Sequence, residues 1–231
     1  MRYPVRIAAL MAGLLASTGC HPYPATPLAR AAADGRIDQI EALLAQGAAI
    51  DGEDGDFTPM IWAARQGQVE AVRLLAARGA SLERQAGVND WTPLMHAIHK
   101  GQNKAAYALL AAHASVAGRS GGEALHMAAG YGNAEMVRAL LERGADPRWR
   151  TPDGSTVLSN AVGGAFDIDY RWSGCGPHTD VVKELLEKAP DLTLGDGDAG
   201  RSALRHAERR GCSEMLDLLQ GRSKPARAGS S

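Results

Sequence analysis

The sequence predicts an all-α solenoid of about six stacked helix-turn-helix repeats with hairpin turns. Three observations predict it. The first is compositional: 45% of the 231 residues are apolar and 22% charged, both near globular averages, yet only 5% are aromatic and alanine is everywhere. Alanine buries little area, so such a core must bring backbones close, which helix against helix does. The second is recurrence. Thr58-Pro59-Met60 returns as Thr92-Pro93-Leu94, and the aligned apolar residues Leu28, Met60, Leu94, Leu125, Leu158 and Leu204 are spaced by 32, 34, 31, 33 and 46. The third is the pattern inside each unit: an alanine-rich stretch, a glycine or polar turn, then an amphipathic segment with paired leucines (Leu43-Leu44, Leu74-Leu75, Leu109-Leu110, Leu140-Leu141, Leu185-Leu186).

Residues 1–20 stand apart from that pattern. Arg2 and Arg6 form a positive start, Ile7 to Ala16 is uncharged and mostly apolar, and Ser17, Thr18 and Gly19 precede Cys20. The apolar run is shorter than the roughly 20 residues that span a bilayer and fits the core of an export signal. A small residue directly before a first cysteine resembles the lipobox of bacterial lipoproteins. That resemblance implies cleavage before Cys20 and lipidation of its thiol. Ser17 departs from it, because leucine is commonest there. An ordinary secretory signal cut nearby, or an uncleaved anchor, stays open. His21 rather than Asp after the cysteine resembles the enterobacterial pattern for outer-membrane delivery. The expected location is therefore periplasmic and lipid-anchored, in the outer membrane of a Gram-negative bacterium. Residues 21–27 carry Pro22, Pro24 and Pro27 and read as a short extended tether.

The repeats occupy 28–220, and each part has a physical reason. Thr58 and Thr92 can cap a helix whose first residue is proline. The alanines allow close helix pairing, and the leucine pairs bury against neighbouring units. Glycines at helix ends, and Gly-Ala at 47–48, 79–80 and 144–145, permit left-handed backbone. No unit buries its apolar face alone, so stability comes from stacking. The pattern resembles the ankyrin repeat. His126 holds that family's histidine position, which implies structural hydrogen bonds; Ile61, Met95, Ser159 and Arg205 replace it elsewhere.

The spacing of 46 places about twelve extra residues at 165–176, between the two helices of the fifth unit, including Phe166, Tyr170 and Trp172 with Asp167, Asp169 and Arg171. Such an insertion either binds or shields a gap in the stack. The tail 221–231 reads as disordered.

Composition excludes several functions. Twenty-five basic against 26 acidic residues give a net charge of −1, with no basic excess for nucleic acid and no acidic solvating tail. No G-x-S-x-G, H-E-x-x-H or phosphate-binding glycine loop is present. His96 and His99 lie i,i+3, and Cys175-Gly-Pro-His178 has a ligand-like spacing, but neither finds further ligands, and exposed histidines on a helix explain the first pair. No catalytic residue, metal, cofactor, small-molecule substrate or nucleic-acid partner is expected. The chain is expected not to be an enzyme.

The family resemblance implies a concave surface that meets another protein at the hairpin tips and the ends of the first helices. By matched position these are Phe57 and Trp91 at the tips, then Arg65, Gln66, His99, Lys100 and Tyr131. Large aromatics and arginine are common interface anchors. If the two rings serve only a partner, removing both leaves thermal stability nearly unchanged. Trp62 and Met127, one place earlier, are expected to pack between repeats. Cys175 and Cys212 are the two thiols left apart from Cys20, and the alignment stacks their turns, so a Cys175–Cys212 disulfide is expected in an oxidising compartment. The expected function is a non-catalytic, membrane-anchored, periplasmic protein-binding module, such as a toxin-neutralising immunity protein. Support of periplasmic oxidative-stress defence beside catalase, and envelope scaffolding, are the alternatives.

Overall fold

A computed structural model describes residues 24–87, 89–164, 174–192, 194 and 198–220. The expected leader at 1–20, the start of the tether, the tail at 221–231, and Phe166, Asp167, Asp169, Tyr170, Arg171 and Trp172 of the insertion lie outside the described residues. Within them the chain forms six helix pairs: α1 (Pro27–Ala33) with α2 (Ile37–Ala45), α3 (Pro59–Arg65) with α4 (Val69–Ala77), α5 (Pro93–His99) with α6 (Asn103–Ala111), α7 (Gly118–Gly130) with α8 (Ala134–Glu142), α9 (Val157–Gly163) with α10 (Cys175–Lys188), and α11 (Asp198–Arg209) with α12 (Ser213–Leu219). The first helices pack in sequence, α1 on α3, α3 on α5, α5 on α7, α7 on α9 and α9 on α11, while α2, α4 and α6, and then α8, α10 and α12, form a second row.

Local chemistry sets each start. The Ala29, Ile61 and Met95 backbone N–H groups donate to the hydroxyls of Thr26, Thr58 and Thr92 at 3.3, 3.3 and 3.4 Å, with Pro27, Pro59 and Pro93 at the first helical turn. Thr156 and Ser159 form a reciprocal capping box at α9. The turn after α3 needs a glycine twice over. Gly67 sits at φ +72°, and a Cβ there would overlap the side-chain amide of Gln102 from the next repeat. The equivalent Gln68 reaches back and donates to the Ala33 carbonyl at 3.0 Å, tying the second repeat to the first.

The core is the row of alanines and the leucines between the helix rows. Met60, Leu94, Leu125 and Leu158 are fully buried, as are Leu75, Leu109, Leu140 and Leu185 of the leucine pairs. Leu43 and Leu44 of α2 are only half-buried. Ahead of α1, the Asp54 carboxylate of the next hairpin accepts the backbone N–H groups of Ala25 and Thr26 at 2.5 and 3.1 Å.

Hairpins close before α3, α5 and α9 through bridges between Asp54 and Phe57, Ala86 and Trp91, and Arg150 and Thr156. Repeat four departs from the expected pattern. Gly118 to Gly122 lacks the Thr-Pro start, and those residues become extra helix, giving α7 thirteen residues. The Trp149 ring lies where a Cβ on Gly122 would be, so that glycine admits the indole. Repeat five also departs: Cys175 and Gly176, expected as the end of the insertion, are the first turn of a fourteen-residue α10. There Cys175 is bridged to Cys212 at the start of α12, with Cα atoms 5.5 Å apart, inside the range a disulfide spans.

Candidate protein-binding face

The first helices and their hairpins bring a continuous line of rings together across repeats two to four. Phe57 stands edge-to-face with Trp62 at 5.3 Å and with His96 at 5.1 Å between ring centroids. Trp91 meets His96 at 5.6 Å and His99 at 4.8 Å, and the His99 Nδ1 lies 2.7 Å from the Tyr131 hydroxyl. Edge-to-face geometry places the positive ring edge on the negative face, worth about 0.5–1.5 kcal/mol per pair beyond burial. Of the residues expected on this face, Phe57, Arg65, Trp91, His99 and Tyr131 join the line and are half-buried, while Gln66 and Lys100 stay exposed beside it.

Two expectations need correction. Phe57 and Trp91 are not free tips: each ring packs on the helices behind it, so their removal must cost stability. His96 is not an exposed helical histidine but 3% exposed. Its Nε2 lies 3.2 Å from the Ala86 carbonyl and its Nδ1 3.0 Å from the Arg65 Nη1. Arginine has only donors, so Nδ1 must accept and Nε2 must carry the proton. Burial first, and the Arg65 charge second, hold the imidazole neutral and push its pKa down to about 4. That spends His96 on structure and leaves no metal pair with His99.

Arg65 is the centre of the cluster. Its guanidinium carbon sits 4.7 Å over the Phe57 ring. Desolvation lowers its pKa from the ordinary value. Its Nε is buried and meets no acceptor among the described residues, and the same holds for the Trp62 Nε1. Trp62 is 4% exposed against Ala29 and Ala33 of the first repeat, so it does pack between repeats.

Further along, His126 stands edge-to-face with Trp149 at 5.6 Å and accepts from the Asn160 Nδ2 at 3.2 Å, while Asn160 also donates to the His126 carbonyl at 2.7 Å. Burial pushes His126 to about 4 as well. His178 is wholly buried and bonded to the Ala161 carbonyl at 2.7 Å. With Cys175 in the disulfide, the Cys175–His178 spacing holds no metal. Among the described residues no group of three or more His, Cys, Asp or Glu is placed to hold an ion, and no helix is long and apolar enough to cross a membrane.

Trp62 and His96 complete the ring line, and the signal for them was a matched spacing. Phe57 and Trp62, and Trp91 and His96, are each five residues apart at equivalent repeat positions.

This architecture defines a class of stacked helical-repeat proteins. A family model of ankyrin repeats, three copies, matches residues 8–86 and again 83–151, and the chain belongs to the ankyrin-repeat family. Two further helix pairs follow the matched region in the structure. An ankyrin repeat domain from Acinetobacter baumannii AYE is similar, with a TM-score of 0.70 and 29% identity over 84% of this chain and 96% of that one. The human ASB11 ankyrin repeat domain shares the fold, with a TM-score of 0.67 and 24% identity over 90% of this chain and 88% of that one. The chain is 36% identical over 95 residues to the E3 ubiquitin-protein ligase XBAT33 of Arabidopsis thaliana, which is 41% of this chain but 16% of that protein. Ankyrin repeats bind other proteins and are generally non-catalytic.

Proposed function

We propose that this chain is an exported, lipid-anchored module that binds one protein through the face lined by Phe57, Arg65, Trp91, His99 and Tyr131. The observation that carries the reading is the ring line itself. Half-buried aromatics and a half-buried arginine stand side by side over three repeats, already held in place before any partner arrives. Such pre-organisation removes much of the ordering cost of binding and suits a single tight partner, as a toxin-neutralising protein requires. Export is supported by two independent features: the apolar run at 7–16 with Cys20 shortly after it, and a disulfide between the other two cysteines, a bond that persists in oxidising compartments.

A photo-reactive side chain placed at exposed Gln66 or Lys100 tests the face in the living cell. Cross-links to a single protein from both positions, and none from exposed Glu142 on α8, are expected. Equal capture from Glu142 would overturn the assignment. Radiolabelled palmitate tests the anchor: incorporation into the wild type and loss with Cys20→Ser are expected, and an unlabelled wild type would remove the lipid from the reading.

A further inference from the structure

Arg65 differs from every other arginine in the described chain, because all the rest are exposed. Several of the exposed ones are neutralised. Arg36, Arg78, Arg84, Arg119, Arg138 and Arg148 each pair with a carboxylate. Arg65 is half-buried and pairs with no carboxylate among the described residues. Its one hydrogen bond, from Nη1, goes to a neutral imidazole, which satisfies a donor but leaves the charge uncompensated. The Phe57 face offsets part of that charge through its quadrupole. Neither Nε nor Nη2 meets an acceptor among the described residues. A desolvated charge without a counter-ion is costly in the free protein, and it becomes favourable once an anion arrives with matching geometry.

The first-helix ends of repeats two to four present Arg65, Gln66, His99, Lys100, Gly130 and Tyr131, with no carboxylate among them. The guanidinium is also held in place, since His96 is itself fixed by the Ala86 carbonyl, so a donor edge is fixed before binding. We propose that the partner of this face is anchored by a carboxylate side chain, which Arg65 takes as its missing counter-ion between the rings of Phe57 and His96. The partner is then a protein with an acidic segment rather than a basic one. This rests on the reading that the face binds protein.

Nuclear magnetic resonance of the full chain labelled with 15N-arginine tests it, with acetylated, amidated hexaglutamate and hexaglutamine peptides as probes. The Arg65 Nε signal is identified by its loss in Arg65→Lys. Hexaglutamate is expected to shift that signal saturably, with weakening by added salt, and hexaglutamine is expected to leave it in place. Arg65→Gln should weaken hexaglutamate binding about tenfold or more, and Arg65→Lys, which keeps the charge, should weaken it less. Helical circular dichroism shows whether each variant is folded. If Arg65→Gln proves unfolded, the wild-type titration and Arg65→Lys still decide. Equal shifts from both peptides, or no saturable shift at Arg65, would overturn the proposal. If cross-linking at Gln66 captures a protein and Arg65→Gln captures it equally well, the binding face stands and the carboxylate anchor falls.

Discussion

His178 is a pH-dependent weak point of the fold, and its contribution can be worked from its surroundings. The side chain is wholly buried at the start of α10, where burial, followed by the charge of Arg210, opposes protonation more than the Ala161 carbonyl favours it. Its pKa falls from 6.5 to about 4. Protonation is therefore easier in the unfolded chain. The stability that neutral His178 provides is complete above pH 6.5 and is lost as pH falls toward 4. At about pH 5 the unfolded state is favoured by roughly 2 kcal/mol relative to neutral pH, from this residue alone. His178→Gln removes the titration while keeping a side-chain N–H donor for the Ala161 carbonyl. Urea unfolding of both proteins at about pH 7.5 and about pH 5 measures the difference. The wild type should lose about 2 kcal/mol more than the variant on acidification. The other two buried histidines, His96 and His126, act in both proteins and cancel. Identical losses in wild type and variant would refute the reasoning.

The double variant Phe57→Ala with Trp91→Ala should lower stability by about 2–4 kcal/mol, from half-buried ring area and its edge-to-face pairs, and lower the calorimetric midpoint by several degrees. Cys175→Ser with Cys212→Ser opens a loop of 37 residues and should cost about 3–4 kcal/mol in denaturant unfolding, a loss that reductant reproduces in the wild type. Gly67→Ala should cost about 1–2 kcal/mol, more than Gly47→Ala, because both have positive φ but only the former meets a neighbouring side chain.

The fold was largely legible because its period is written in local chemistry. Threonine caps, prolines at first turns, alanine rows and leucine pairs each demand the same helix pair at the same spacing. The departures arose where that chemistry lapses. Gly118 to Gly122 carries no cap, so helix runs on in place of a hairpin. Cys175 joins a helix because Pro177 falls in its first turn, where no intrahelical N–H is needed. The candidate face was legible residue by residue but not as a cluster. Position within the repeat identified Phe57, Arg65, Trp91, His99 and Tyr131. It did not reveal that Phe57 leans on His96, because that contact joins residues of consecutive repeats. The burial of His96 is likewise a property of the stack and not of its own helix.

The Asp54 carboxylate that accepts the Ala25 and Thr26 backbone has a mechanical consequence. Tension arriving along the residues before Pro24 does not peel α1 away by itself. It meets a stitch into the hairpin of the second repeat, and Arg30 adds a second hold by donating to the Pro24 carbonyl at 3.3 Å. A pull from the N-terminal side is shared by two repeats at once. Asp54→Asn weakens that stitch and should lower the force at which the first repeat detaches in single-molecule stretching.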